Sequence, residues 1–446
     1  MQKNSAANNP SANHSTKSPA KPNARRQAAA MLAAIERGKT LDEATDRLDM
    51  LSTADRGLAR AMVMLALRHR GEIAALLTRH MKRAIPPRPH LAKSLLHLGV
   101  VQICLMDVPD HAAVSETVKA CGRREQPYRG LINAILRKLS AETKTECTLP
   151  DDPALNMPDW MMAQWTEAYG PETAARIAAT HRRRPPLDLC FKTPGQAAAW
   201  LEQNPTGAVR LGLTHIRLAE AGRVETLQGF EAGDWWVQDI AAGLPAQMLL
   251  ARLPDTPCSI LDLCAAPGGK TLQLAAAGHD VTALDVSESR LKRLSENLSR
   301  TGLTATLVTA DALDWKPNQA FDAILLDAPC SATGTIRRHP DLPLHRRPGY
   351  TAKLTVLQDA LLNRAATWLK PGGLLLYATC SLDPEEGEKR VAGFLNTHET
   401  MRAEMLPPLP FAQNFITAHE LRTTPADLHE TGAMDGFYAA LMQRKA

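Results

Sequence analysis

Five short apolar runs succeed one another after Gln238: SILDLCA, DVTALDV, ATLVTAD, FDAILLDAP and GLLLYATCS. Segments with helical spacing lie between them, most visibly 287–300 and 352–369. Strands that alternate with helices predict an open, doubly wound, mostly parallel sheet, because parallel neighbours need a long crossover and a helix makes one compactly. Ligands of such sheets sit outside the carboxyl ends of the strands. The candidate site residues of this stretch all fall at those ends.

Upstream, the chain from 24 to about 140 reads as a run of helices. Apolar residues recur at helical spacing in RRQAAAMLAAIERG, LARAMVMLALRHRGEIAALLTRHM and LAKSLLHLGVVQICLM, punctuated by Gly38, Pro86, Pro87 and Pro109. Basic residues cluster at 68–70, 79–83 and 123–124, either as a solvated helix face or as a track for phosphates. The polar stretch AETKTECTLPDDPALNMP marks a boundary. Beyond it, a helical piece at 160–179 and short runs such as LDLCF predict a small α+β module. The organisation is therefore multidomain: a polar tail over 1–23, expected to be disordered; an all-α domain over 24–145; a connecting α+β module over 146–236; and a C-terminal α/β, Rossmann-like domain over 237–446.

The eight cysteines form no C-x-x-C pair, so neither a metal site nor a disulfide framework is expected, and the thiols read as reduced in a cytoplasmic protein. The apolar stretches fall far short of the roughly 18 residues that a membrane span needs, so no membrane partner is expected. The amino terminus lacks the apolar core of a secretory signal. A net charge of +5 suits a phosphate-rich partner without requiring one.

The first run ends in Cys264-Ala265-Ala266-Pro267-Gly268-Gly269-Lys270-Thr271. Small residues let a ligand approach the backbone, and the helix that follows offers free amides. Gly269-Lys270-Thr271 matches the end of a phosphate-binding P-loop, but Cys264 stands where that motif needs its first glycine, which disfavours an NTPase. Asp285 closes the second run and suits ribose hydroxyls; Asp311 closes the third and suits an adenine amino group. A strand-end Asp taken singly is more often a helix cap. Asp285, Asp311 and Asp327 together with the glycine loop predict a nucleoside-bearing ligand. Without a phosphate-gripping loop, that ligand is S-adenosylmethionine rather than a dinucleotide.

The fourth and fifth runs end in Asp327-Ala328-Pro329-Cys330-Ser331 and Ala378-Thr379-Cys380-Ser381. A lone strand cysteine is usually a small core residue. Two at the ligand edge of adjacent strands suggest covalent chemistry on a pyrimidine. Thiolate attack on carbon 6 of cytosine makes carbon 5 enamine-like and divides one hard methylation into easier steps. Loss of the carbon-5 proton and expulsion of the thiol then call for acid–base groups. Asp383-Pro384-Glu385-Glu386 reads as a helix N-cap, a first-turn proline and a capping-box acid, so a helix dipole is expected to favour the neighbouring thiolate, with Lys270 as a second source of positive charge. Asp327 would hold a proton shared with cytosine N3. Spacing leaves open which cysteine attacks. The target base must be unpaired or flipped out, and Arg337, Arg338, Arg346 and Arg347 in the basic segment 335–350 are candidates for phosphate contacts.

The motifs LDLCAAPGGKT, ALDVSESR, TADA, FDAILLDAPCSATGTIRRHPD and LLYATCSLDPEEGE resemble those of the RNA cytosine-C5 methyltransferases, the NOL1/NOP2/Sun family. VQDIAA at 237–242 is similar to the family's first motif, and DGFYAALMQRK to its last antiparallel strand. The resemblance implies that Cys380 attacks the base and Cys330 assists product release. It also implies that 264–270, Asp285, Asp311 and Asp327 line the S-adenosylmethionine site, with Asp327 serving both cofactor and base. DVPDHAAVSETVKACGRREQPYRGLINAILRKL resembles the RNA-binding helical domain of the antitermination factor NusB. A NusB-like domain joined to this catalytic domain resembles the bacterial 16S ribosomal RNA methyltransferases of the Sun type. The implied partner is 16S ribosomal RNA, free or in a partly assembled subunit, acted on by a monomer. A relative acting on transfer RNA would share the same catalytic residues; a non-catalytic antitermination factor would not need the paired cysteines. One departure is Cys190, where the resemblance leads one to expect Arg, which puts substrate contacts there in doubt.

Overall fold

The computed structural model describes residues 23–81, 83, 85–86, 91–142, 149–409 and 411–446. They fall into two units, Met1–Ala66 with His80–Thr148, and Leu67–Arg79 with Leu149–Ala446. Of the tail expected over 1–23, all but Asn23 lies outside the described residues, as does Lys82 of the basic cluster at 79–83.

The first unit is helical, as its periodicity predicts. The helices in this part of the chain are α1 (Ala24–Ile35), α2 (Leu41–Thr45), α3 (Thr53–Arg68), α4 (Arg70–His80), α5 (Ala92–Cys104), α6 (Asp110–Lys119) and α7 (Gln126–Ala141). The end of α3 and nearly all of α4 belong to the second unit. Asn23 and Thr40 cap α1 and α2 with side-chain oxygens, satisfying amides that a helix start leaves open. Helix α5 is apolar on all sides and buried from Ser94 to Gln102, which makes it the centre of the unit. Buried Glu125 accepts from Arg26 at 2.8 Å and from the amides of Leu91 and Gly122 at 3.1 and 2.8 Å.

In the second unit, α8 (Asp159–Tyr169) and α9 (Pro171–His181) replace the continuous helix expected over 160–179. Gly170, at φ 80°, and Pro171 at the first helical position break it. An antiparallel sheet follows, built from β1 (Leu187–Phe191), β2 (Ala208–Leu211), β3 (His215–Leu218) and β4 (Trp235–Val237) in the order β2-β3-β1-β4, with α10 (Pro194–Gln203) after β1. Cys190 on β1 is fully buried against Trp236, Ala265 and Leu272, so the side chain at this position packs into a core.

The large sheet starts after α11 (Ile240–Leu250). Its elements are β5 (Ser259–Leu263), α12 (Gly269–Ala276), β6 (Asp280–Asp285), α13 (Glu288–Thr301), β7 (Thr306–Thr309), β8 (Phe321–Asp327), α14 (Leu342–His345), α15 (Thr351–Thr367), β9 (Leu369–Thr379), α16 (Glu388–Thr397), β10 (Met401–Ala403), β11 (Glu420–Thr423) and β12 (Phe437–Arg444). The order is β10-β12-β9-β8-β5-β6-β7, with β11 also paired to β12. Strands β9 to β7 are parallel, and β12 runs antiparallel to β9 from Tyr438 opposite Thr379 to Gln443 opposite Leu374. The expected Rossmann-like sheet is thus formed by β5 to β9. Its order reverses between β5 and β8, and a crevice opens at such a switch point beyond the strand ends. The inner strands β5, β6, β8 and β9 are buried over most of their length and read as near-continuous apolar runs, whereas β7, at the edge, is partly exposed. No described helix is long and apolar enough to cross a membrane.

Two polar features lie inside this core. Asp188 on β1 receives Nε and Nη2 of Arg217 on β3, both at 2.7 Å, and the Ile240 amide at 3.0 Å. Next to it, Asp239 caps α11 and receives Arg337 and Arg338, each at 2.5 Å. Asp435 receives the same two guanidiniums at 2.5 and 2.6 Å. Burial by itself would raise the Asp239 pKa; Arg338 and Arg337 outweigh it and hold the carboxyl well below the usual range. Arg337 and Arg338, expected on RNA phosphates, are therefore counter-ions of buried carboxylates. The basic cluster at 68–70 is likewise internal: Arg68 is buried and donates to the Arg337 carbonyl at 3.0 Å, and Arg70 donates to that of Asn156 at 2.9 Å.

The second feature is Asp262, one residue before the carboxyl end of β5. It is fully buried and accepts from the Thr271 hydroxyl at 2.5 Å through Oδ2, while Oδ1 has no protein partner. Desolvation pushes its pKa up to about 7 against the pull of the Thr271 hydrogen bond and the Lys270 charge.

Two outcomes follow from these buried groups. Asp239→Ala leaves two guanidiniums on one carboxylate and should lower stability by about 3–5 kcal/mol, the usual cost of breaking a buried pair; a denaturant midpoint equal to wild type would contradict this. Because Asp262 takes up its proton on folding, its neutral form favours the fold most below about pH 4. That contribution declines as pH rises through about 7. Melting curves from pH 4 to 8 should therefore show wild type losing stability relative to Asp262→Asn as pH increases, and parallel curves would refute the assignment.

Candidate active site

The candidate cofactor residues form a tight turn between β5 and α12. Cys264 has φ 59°, the Ala266–Pro267 peptide is cis, and Gly268 has φ 105°. A Cβ on Gly268 would lie 2.1 Å from Cδ1 of Leu294, so glycine is needed there for both dihedral and space. The Ala265 amide donates to the Leu284 carbonyl at 3.1 Å, which ties the turn to the end of β6.

Asp285 closes β6 and is buried. Its Oδ2 accepts from the Ala266 amide at 3.1 Å and its Oδ1 from the Ser287 amide at 2.9 Å. It thus organises the loop in addition to any contact with a ligand. Val286, next in sequence, is 70% exposed, an unusual state for a large apolar residue beside a crevice. Asp311, past β7, is exposed and accepts from the Leu313 amide at 2.9 Å, as a turn cap does. The Ala310 amide donates to the Asp285 carbonyl at 3.2 Å, so the two strand ends adjoin.

Asp327 closes β8 and pairs with Lys270 of α12, Oδ2 to Nζ at 2.7 Å. The ammonium also lies 5.0 Å from the Phe437 ring centroid. Lys270, expected to supply charge to a thiolate, is therefore engaged by a carboxylate and an aromatic face.

The two cysteines meet. Sγ of Cys330 lies 3.5 Å from Sγ of Cys380, and both residues are partly buried. The Gly334 amide donates to the Cys380 carbonyl at 2.9 Å, and the Gly436 amide donates to the Gly334 carbonyl at 2.9 Å. A Cβ on Gly334 would come within 2.1 Å of that Gly436 carbonyl region, so glycine lets the loop pack flat against the approach to β12.

Beneath the sulfurs lies a carboxylate that sequence reading assigned differently. Glu386 is fully buried and accepts from the Ser331 amide at 3.0 Å, from Ser381 Oγ at 2.6 Å, from Gln358 at 3.0 Å and from Ser331 Oγ. It is not a capping-box acid. Asp383 caps only a single 3-10 turn over Pro384–Glu386, and α16 begins at Glu388, so no long helix aims its dipole at Cys380 from Asp383. The hydrogen bond to Cys380, burial, and the charges of Cys380 and Glu386 all push the Cys330 thiol pKa well up. The only sequence signal for Glu386 was an acid six residues after the second cysteine.

Comparison with known proteins gives the same answer at both ends of the chain. Residues 247–443 match the model of the family described as 16S rRNA methyltransferase RsmB/F, and residues 22–141 match that of the NusB family. Ribosomal RNA small subunit methyltransferase B of Enterobacter sp. (strain 638) is 34% identical over 88% of this chain and 95% of its own length. Its counterpart from Salmonella arizonae is 36% identical over 86% of this chain and 93% of its own. The solved structure of PH0851 superposes with a TM-score of 0.73 at 23% identity, over 96% of this chain and 100% of that one, which shows a common fold. The chain therefore belongs to the RsmB/F family of 16S rRNA methyltransferases, carries a NusB-family domain before its Rossmann-like domain, and is an S-adenosylmethionine-dependent ribosomal RNA methyltransferase.

Proposed function

We propose that this chain methylates carbon 5 of one cytosine in 16S ribosomal RNA, with Cys380 as the nucleophile and Cys330 as the thiol that assists release. The observation that carries this reading is the sulfur pair, 3.5 Å apart at the strand ends that border the cofactor loop. Contact with Cys380, burial and the nearby Glu386 push the Cys330 thiol pKa well up. The choice of Cys380 as the attacking sulfur rests on the resemblance of its TCS motif to that of the RNA cytosine-C5 methyltransferases.

The turn from Cys264 through Ala265, Ala266, Pro267, Gly268 and Gly269 to Lys270 would hold S-adenosylmethionine, with Val286 as an apolar contact for its adenine. A carboxylate has about four lone-pair positions, so Asp285 keeps capacity for ribose hydroxyls beyond its two backbone amides. Asp311, exposed at the adjoining strand end, is suited to the adenine amino group. When bound, the cofactor supplies an electrophilic methyl group. Cys380 adds to carbon 6 of the cytosine, which moves electron density to carbon 5. Asp327, with Oδ2 on Lys270, has Oδ1 left to hold the proton that N3 shares as that density develops. After transfer, the carbon-5 proton passes to solvent, the pair it leaves closes the carbon-5–carbon-6 double bond, and the carbon–sulfur bond breaks with its pair returning to Cys380; Cys330, 3.5 Å away, assists by hydrogen-bonding the departing sulfur. Lys270 positions Asp327 rather than touching the base.

Cys380→Ala should abolish methyl transfer from labelled cofactor to 16S ribosomal RNA transcript while leaving cofactor affinity unchanged, and an unaltered rate would sink the nucleophile assignment. Cys330→Ala should accumulate a covalent RNA–protein adduct that survives a denaturing gel. An adduct that persists in Cys380→Ala and disappears in Cys330→Ala would mean the roles are reversed.

A further inference from the structure

One cavity lies beside the cysteines yet has no part in the chemistry above. It has a volume of about 340 Å³, and its wall includes Ser331, the residue after Cys330. That volume falls in the roughly 300–1,000 Å³ range of clefts that take small ligands. The opposite wall is one face of α8: Trp160, Ala163, Gln164 and Glu167 line it at i, i+3, i+4 and i+7. The other face of the same helix, Met161 and Trp165, is buried in a core with Ile336 and Leu382, so the orientation of α8 is set by packing.

The chemistry of the lining is that of a nucleotide site. Arg346 and Arg347 border it and form no ion pair among the described residues. Arg346 is held in place, donating Nε to the Ser331 carbonyl at 2.9 Å with its guanidinium 4.2 Å from the Tyr350 ring centroid. Trp160 and Tyr350 supply flat apolar surfaces of the kind on which unpaired bases stack. Ala163 leaves the helix face shallow between Trp160 and Gln164. Glu167, exposed, accepts only, and Gln164 both donates and accepts, a combination suited to the Watson–Crick edge of a base bearing an amino group.

We infer that this cavity takes the nucleotide that neighbours the target cytosine in the RNA, with Arg346 and Arg347 on its phosphate, Trp160 and Tyr350 against its base, and Gln164 with Glu167 reading its edge. The inference rests on the reading of Cys330 and Cys380 as the site of base chemistry and adds a determinant of sequence context. Enzymes that act on an extruded base commonly obtain their context preference from contacts to flanking nucleotides. Here the base contacts of Trp160, Gln164 and Glu167 come from the connecting module, which gives that module a part in substrate choice.

The test uses the full chain and an in vitro 16S ribosomal RNA transcript, with binding and methylation measured separately. Trp160→Ala and Arg347→Ala should each weaken transcript binding, Trp160→Ala by about 5- to 50-fold if it stacks on a base, while Trp160→Phe stays near wild type and cofactor affinity is unchanged in all three. Glu167→Gln should alter the preference among transcripts that differ only in the bases flanking the methylated cytosine, with little change in kcat on the best one. Wild-type binding and wild-type flanking preference in Arg347→Ala, Trp160→Ala and Glu167→Gln would overturn the inference. Methylation at another atom by wild type would instead defeat the cytosine reading, and the binding arm would still decide whether the cavity holds RNA.

Discussion

Two guanidiniums shared by two buried carboxylates hold the catalytic half of this protein in register. Arg337 and Arg338 follow the Cys330 loop by a few residues, Asp239 starts the first helix of the methyltransferase domain, and Asp435 immediately precedes the last strand. These segments are far apart in the chain, so their charges meet only in the folded state. In a desolvated setting such a pair is costly to break, because the remaining charge has no water to turn to. Asp188 and Arg217 extend the cluster into the antiparallel sheet, and the Asp188–Ile240 hydrogen bond carries it to α11. The loop that bears Cys330 is thus anchored on one side by charge and on the other by the Gly334–Gly436 backbone contact.

That anchoring is what allows two thiols to face each other at a hydrogen-bond separation. A buried carboxylate below them, satisfied by two serines and a glutamine, places negative charge where a second thiolate would be strongly disfavoured. The contact with Cys380, burial and that carboxylate together push the Cys330 thiol pKa well up. Lys270 is engaged by Asp327 at 2.7 Å, so its charge is matched by that carboxylate rather than by either sulfur.

Much of this was legible beforehand. Alternating apolar runs specified the parallel strands, helical spacing specified the first unit, and the cysteines and acids fell at strand ends as expected. The errors share a cause. Arg68, Arg337 and Arg338 look like surface cations in a sequence, since nothing local announces a partner far along the chain, a backbone carbonyl for Arg68 and carboxylates for Arg337 and Arg338. Glu386 looks like a capping-box acid because its spacing from Asp383 is right, but tertiary packing turned it inward to the two serines. The helix over 160–179 was read as continuous although Gly170 and Pro171 were both present as a break.

The sequence by itself determined the alternation of elements, the loop with its required glycine and the presence of two thiols, because periodicity and backbone freedom are local properties that a chain carries into any context. Only the tertiary structure decided which charges would be buried together, that the two sulfurs would meet, and that one face of α8 would border a cavity beside Ser331. Those outcomes depend on desolvation and on distances between remote segments, and both come into being only when the chain closes on itself.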